Sequence, residues 1–200
     1  MIDAALRRLV DPALDAAGGF LLRRGVSANA ATLAGFAVGL LALPALALQA
    51  YGAALAFILL NRLADGLDGA IARRRGATDF GGYLDIVLDF IFYAAVALGF
   101  ALADPAANAL AACFLIFSFM GTGSMAYAVM AAKRGRASTA RGPKSLYYLG
   151  GLTEGAETIA LFVTICLWPG WFPQLALLFG ALCWITTVTR ILAARRDFTP

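Results

Sequence analysis

The sequence predicts an all-α integral membrane protein, with six transmembrane helices preceded by an N-terminal amphipathic surface helix. The whole forms one domain over residues 1–200. Three observations predict it. Hydrophobic residues make up 62% of the chain and charged residues 14%, against about 45–50% and about 25% in soluble domains. Mean hydropathy is +0.80, and a soluble fold of this size cannot hide so much apolar surface. The apolar runs are separated by turn signals, and the basic residues gather at alternate ends of them.

The same composition excludes a soluble enzyme, a disordered tail and a disulfide-rich secreted module. With no histidine in the chain, histidine base catalysis, histidine–metal sites and Ser-His-Asp triads are excluded too. Cys113, Cys166 and Cys183 lie far apart in apolar runs and form neither a CxxC pair nor a disulfide framework. The carboxylates are most of what remains for chemistry.

The N-terminal stretch, 1–28, reads as a cytoplasmic juxtamembrane segment. Ile2, Leu6, Leu9, Ala13 and Leu14 recur at helical spacing, with charged residues between them, as in a helix lying on a membrane surface. Asp11-Pro12 reads as an N-cap followed by proline at the first helical position. Asn29 reads as a helix cap or a ligand contact at the start of the first span.

The membrane region covers 31–193. The charge-free stretch Gly25–Asn61 is too long for one span of about 20 residues, and Gln49-Ala50-Tyr51-Gly52 offers a turn within it. The first span is therefore placed at 31–49 and the second at 53–73. The third runs over 83–103, ending at Asp104-Pro105, and the fourth over 105–132. Trp168-Pro169-Gly170-Trp171 divides the last apolar stretch into spans at 154–168 and 173–193, and its two tryptophans suit an interfacial belt.

Arg7, Arg8, Arg23 and Arg24 precede the first span. Arg73, Arg74 and Arg75 follow the second, Lys133 to Lys144 lie between the fourth and fifth, and Arg195 and Arg196 follow the sixth. The other three loops carry no Lys or Arg. The positive-inside rule then places both termini in the cytoplasm of an inner-membrane protein. The net charge of +4 is read as a topology signal, and no nucleic-acid partner is expected.

The informative segment is Asn61-Arg62-Leu63-Ala64-Asp65-Gly66-Leu67-Asp68-Gly69-Ala70-Ile71-Ala72-Arg73. After a loop it continues as Gly81-Gly82-Tyr83-Leu84-Asp85-Ile86-Val87-Leu88-Asp89. Asp65 and Asp68 share one helix face, and Asp85 and Asp89 share a face of the next helix. At about 1.5 Å rise per residue Asp65 lies roughly 12 Å from Arg73. Antiparallel neighbours thus bring all four carboxylates to one depth in the cytoplasmic part of the bilayer. An aspartate near a bilayer centre costs on the order of 2.5–3.5 kcal/mol, and four repel one another, so compensating charge is required. Arg62 and Arg73 can offset part of it. An all-oxygen set without His or Cys favours Mg²⁺ or Mn²⁺, and two ions would neutralise four carboxylates. Asp79, in the loop, reads as a helix-end acid.

These residues resemble the signature of the CDP-alcohol phosphotransferase (CDP-alcohol phosphatidyltransferase) family, D-x-x-D-G-x-x-A-R, a spacer, then G-x-x-x-D-x-x-x-D. Asp65, Asp68, Gly69, Ala72 and Arg73 match the first half; Gly81, Asp85 and Asp89 match the second. The Arg73–Gly81 spacer is one residue shorter than the common form. The six-span layout with an N-terminal surface helix also resembles this family.

The resemblance implies transfer of a substituted phosphate, typically phosphatidyl from CDP-diacylglycerol, to a small alcohol acceptor with release of CMP. It implies that Asp65, Asp68 and Asp85 hold metal ions, and that Asp89 completes the metal site and acts as general base. Asp68, Gly69, Ala72, Arg73, Thr78 and Gly81 would lie along the CDP donor. The resemblance also implies a homodimer among membrane lipids. Lys133, Arg134, Arg136, Arg141 and Lys144 offer either a grip on a phosphorylated acceptor or cytoplasmic anchoring. Glu154 and Glu157 offer acceptor recognition or favourable charge at a helix N-terminus. The rival reading is a divalent-cation transporter using the same aspartates, which requires a polar path to the outer face.

Overall fold

The computed structural model describes residues 2–121 and 153–198. Those residues are helical, without strands, and the helices are α1 (Ile2–Arg23), α2 (Ala28–Leu40), α3 (Ala42–Ala47), α4 (Tyr51–Arg75), α5 (Asp79–Ala103), α6 (Pro105–Gly121), α7 (Gly155–Leu167) and α8 (Phe172–Phe198). A 3₁₀ turn, Pro169–Trp171, joins α7 to α8. Three stretches are long and apolar enough to cross a membrane: Ala28–Ala47, Asp79–Ala103 and Pro169–Arg196. Pro105–Met120 and Gly155–Leu167 are shorter apolar helices. The chain is a multi-pass membrane protein. The fourth expected span continues past residue 121, and its remainder and the basic segment containing Lys133, Arg134, Arg136, Arg141 and Lys144 lie outside the described residues.

The span expected at 31–49 corresponds to the apolar stretch Ala28–Ala47, which carries a break at Leu41 between α2 and α3. Pro44 accounts for it: proline donates no N–H to the carbonyl four residues back, and its ring crowds that carbonyl, which belongs to Leu40. The break is shallow, since Leu41 keeps φ −66° and ψ −16°. α3 ends in a Schellman motif, with Ala50 N–H bonded to the Ala45 carbonyl (2.8 Å) and Gln49 N–H to that of Leu46 (2.8 Å). Gln49 takes the left-handed position at φ 57° and spends its side-chain amide on the Ala103 carbonyl, 3.0 Å away. The turn between the first two spans is thereby tied to the far end of α5.

α1 is continuous through Pro12, so Asp11-Pro12 is not a helix start. Proline there removes a single helical bond on an exposed stretch, while α1 packs on α4 from Leu14 onward. Leu14 lies against Gly66, and a methyl group on Gly18 would meet the Ala70 Cβ at 2.8 Å. The start of α2 is capped by Ser27, whose hydroxyl accepts from Ala30 N–H at 3.2 Å, and Asn29 lies inside the helix.

α5 starts at Asp79, earlier than the expected 83. Thr78 is its N-cap, accepting from Gly81 N–H at 3.0 Å. Asp104 and Pro105 open α6 as N-cap and first residue, with Ala107 N–H donating to Asp104 Oδ1 at 3.1 Å.

α2 packs on α4 and α5, α3 on α4 and α5, α6 on α5 and α8, and α7 on α4. The α2–α4 approach needs glycine. A Cβ on Gly39 would lie 2.8–2.9 Å from side-chain atoms of Asn61, and one on Gly35 would overlap Ala64. Phe92, Phe100, Phe162, Phe172 and Ile58 are fully buried, and the Phe100 and Phe172 rings stack at 4.5 Å. This apolar core begins beyond the acidic residues of α4 and α5. Trp168 and Trp171 are exposed beside the 3₁₀ turn.

Candidate active site

The site is built on the C-terminal half of α4 and the N-terminal half of α5, with α2 as its third wall. Its cavity is lined by Thr32, Gly35 and Phe36 from α2, Asn61, Arg62, Asp65 and Asp68 from α4, and Asp85, Leu88 and Asp89 from α5. Helical spacing places the acids as expected, with one pair on each of two adjacent helices.

One carboxylate oxygen from each of Asp65, Asp68 and Asp85 lies within 4.8 Å of the others. Three anionic oxygen donors so close, with neither sulfur nor nitrogen among them, fit a hard divalent cation. Asp65 is partly open, its side chain 39% exposed, and its Oδ2 lies 3.9 Å from Arg62 Nη1. Asp68 is buried and receives the Thr32 hydroxyl at 2.5 Å. The Ala28 carbonyl is the alternative acceptor for that one proton, at 3.0 Å.

Asp89 stands apart from that trio. Its Oδ1 pairs with Arg62 Nη2 at 2.5 Å. Its Oδ2 accepts from the Tyr93 hydroxyl at 3.1 Å and Arg62 Nη1 at 3.4 Å. Arg62 is itself fixed. Asn61 Oδ1 accepts from Arg62 Nε at 2.9 Å and Nη2 at 2.5 Å. The guanidinium also lies 5.2 Å from the Phe92 ring centroid and 5.7 Å from that of Tyr93. Asn61 Nδ2 donates to the Gly35 carbonyl at 3.0 Å. The compensating charge is therefore Arg62. Arg73, the other candidate, pairs with Asp15 of α1 at 2.8 Å.

The residues expected along the donor lie on the loop side of the carboxylates. The Arg73 guanidinium sits beside Gly69, 3.4 Å from where a Cβ would be. Gly81 faces the side-chain oxygens of Asn29 and Thr78, each 3.0 Å from its Cβ position. Ala72 is half-buried on the same turn as Gly69. Glu154 and Glu157 form a capping box at the start of α7, with Glu154 N–H donating to Glu157 Oε2 at 3.2 Å; neither lines the cavity.

Thr32, Phe36, Asn61, Leu88 and Tyr93 were given no role from sequence. Thr32 had a signal, as a polar residue in an apolar span one turn from Asn29. Tyr93 had one too, at i+4 from Asp89. Phe36 and Leu88 had none, since apolar residues fill every span.

Residues 26–192 match the CDP-alcohol phosphatidyltransferase family. The chain belongs to that family. It is accordingly a membrane-bound transferase of the phospholipid-biosynthesis class, which decides against the transporter reading. It is 56% identical to inner membrane protein YnjF of Escherichia coli (strain K12) over 193 residues, 96% of this chain and 94% of the relative. It is 35% identical to archaetidylinositol phosphate synthase of Pyrococcus horikoshii over 98 residues, 48% of this chain and 52% of the relative. The fold is also that of Mycobacterium tuberculosis phosphatidylinositol phosphate synthase. The crystal structure with CDP-DAG bound superposes with a TM-score of 0.71 at 23% identity, covering 91% of this chain and 93% of that one. The structure in complex with manganese and citrate gives 0.69 at 24% identity, covering 89% and 87%.

Proposed function

We propose that this CDP-alcohol phosphatidyltransferase moves a phosphatidyl group from CDP-diacylglycerol to a small acceptor alcohol and releases CMP. The work is done at the cytoplasmic face of an inner membrane, with two divalent ions bound among the four aspartates. The observation that carries the reading is the convergence of Asp65, Asp68 and Asp85 within 4.8 Å, beside Asp89 and within the family's own motif. Relatives support the choice of donor and metal, since structures of the mycobacterial synthase contain CDP-DAG in one case and manganese in another.

Asp65, Asp68 and Asp85 would hold Mg²⁺ or Mn²⁺, which when bound offsets diphosphate charge and eases departure of CMP. Arg73 supplies a planar cationic fork for a phosphate, exchanging Asp15 for the ligand. Gly69 and Gly81 let the diphosphate approach the backbone of α4 and α5. Asp89 lines the cavity beside the trio and takes the acceptor's hydroxyl proton as the new O–P bond forms at the β-phosphorus and the bond to CMP breaks. Phe36 and Leu88 form the apolar side of the cavity and limit water around the reacting groups.

The topology proposed is six spans with both termini cytoplasmic, α1 lying along the surface against α4. The basic clusters at alternate span ends support it. The functional test is CMP release by purified protein given CDP-diacylglycerol, Mg²⁺ and one acceptor at a time. The panel is glycerol-3-phosphate, serine, inositol, inositol phosphate and choline, with lipid products resolved by chromatography. Inositol phosphate is tested first because of the archaeal and mycobacterial relatives. No CMP release with any acceptor, or full activity in EDTA, would overturn the proposal.

A further inference from the structure

We infer that Arg62 is a positioning residue that holds Asp89 apart from the other three carboxylates, so that the site takes up divalent ions in two unequal steps. The inference rests on the metal reading above. The sequence shows four equivalent-looking aspartates, but the structure divides them. Asp65, Asp68 and Asp85 present oxygens to a common point. Both oxygens of Asp89 are already engaged, Oδ1 with Arg62 Nη2 at 2.5 Å and Oδ2 with the Tyr93 hydroxyl at 3.1 Å and Arg62 Nη1 at 3.4 Å.

The guanidinium is not free to swing aside. Asn61 Oδ1 holds two of its nitrogens, and the Phe92 and Tyr93 rings lie beside it. Asn61 is in turn bonded to α2 through the Gly35 carbonyl, at the close approach that Gly35 and Gly39 permit. A side chain held this way is a permanent local cation, because an arginine stays protonated.

Charge arithmetic gives the consequence. The trio carries three negative charges, and one divalent ion leaves it at minus one. Arg62 offsets Asp89, its nearer partner at 2.5 Å, and also lies 3.9 Å from Asp65 of the trio. Asp89 has about four acceptor sites and three donors on it, so it can bind a second ion while still paired with Arg62, and that ion is repelled by the guanidinium charge. Weakening that half-buried ion pair leaves Arg62 with only Asn61, Tyr93 and the more distant Asp65, which is costly. Arg62 therefore acts as the resident counter-cation of Asp89 and sets a lower affinity for the second ion.

The experiment is a Mn²⁺ titration of the detergent-purified protein without substrates, following free Mn²⁺ by electron paramagnetic resonance. The wild type is expected to show one tight class and a second at least tenfold weaker or beyond the titration range. Arg62→Gln should bring the two within threefold, and Arg62→Lys should keep them apart. Asp89→Asn should remove the weak class and leave the tight one unchanged. Two equal classes in the wild type, an unchanged ratio in Arg62→Gln, or a weakened tight class in Asp89→Asn would each overturn the inference. If Arg62→Gln does not fold, two equal classes in the wild type, or equal classes in Arg62→Lys, still overturn the inference. Absence of any Mn²⁺ binding would instead overturn the metal reading itself.

Discussion

Replacing Thr32 by valine tests whether α2 is part of the active site. Valine keeps the shape of threonine, so the α2–α4 packing stays, but the hydroxyl that donates to Asp68 Oδ2 at 2.5 Å is lost. Asp68 is only 7% exposed, so water has little room to replace the donor. A hydrogen bond to a charged group is worth about 1.5–3 kcal/mol. At about 1.36 kcal/mol per tenfold that is roughly 10- to 150-fold in any equilibrium that uses the Asp68 carboxylate. Partners of metal ligands cost a similar 10- to 100-fold when removed. The expected outcome is a 10- to 100-fold rise in the Mg²⁺ concentration at half-maximal CMP release. Thr32→Ser should lie near wild type. The Mn²⁺ titration should show the same shift in the tight class, independently of turnover. A Thr32→Val protein within threefold of wild type in both assays would refute the assignment of Thr32 to the site.

Asp65→Asn/Asp68→Asn should reduce CMP release at least about a hundredfold at every Mg²⁺ concentration, because two of three converging oxygen donors become weak ligands; retained activity would remove the trio from the chemistry. Gly39→Ala places a methyl group 2.8–2.9 Å from Asn61 side-chain atoms, and such overpacking costs about 1–3 kcal/mol. Its detergent melting temperature should fall, and an unchanged value would mean that α2 and α4 can part freely. Arg73→Ala should raise the apparent KM for the CDP donor about tenfold or more. Asp15→Ala should leave it within twofold, because a half-exposed ion pair contributes about 0–1 kcal/mol; equal effects of the two would make the pair purely structural. Reporter fusions at both termini should read cytoplasmic, and an outward reading at either end would overturn the six-span topology.

Helices and their order were legible because their signals are local. Apolar runs of span length, Asp104-Pro105 and Trp168-Pro169-Gly170-Trp171 each act on their own neighbourhood. Where the reading departed from the structure, a neighbour or a distant helix intervened. Pro44 puts a shallow break within the first span because its ring reaches back to Leu40. Pro12 lies within a helix that packing against α4 keeps continuous. Thr78 moves the start of α5 forward by capping it, which brings Gly81 within a helical turn. Glu154 and Glu157 cap the start of α7, which is the helix-N-terminus alternative their position in the sequence offered.

By itself, the sequence determined the membrane setting, the helical class and the carboxylate character of the site. Composition and helical period are properties of residues near one another along the chain. It placed Asp65, Asp68, Asp85 and Asp89 at one depth because two adjacent antiparallel helices leave little choice. Only the tertiary structure decided how those four divide. Arg62 holds Asp89, Arg73 turns to Asp15, and Thr32 of a third helix supports Asp68. These pairings depend on how each helix is rotated and how closely α2 can approach α4, which Gly35 and Gly39 permit. No spacing along the chain encodes that rotation.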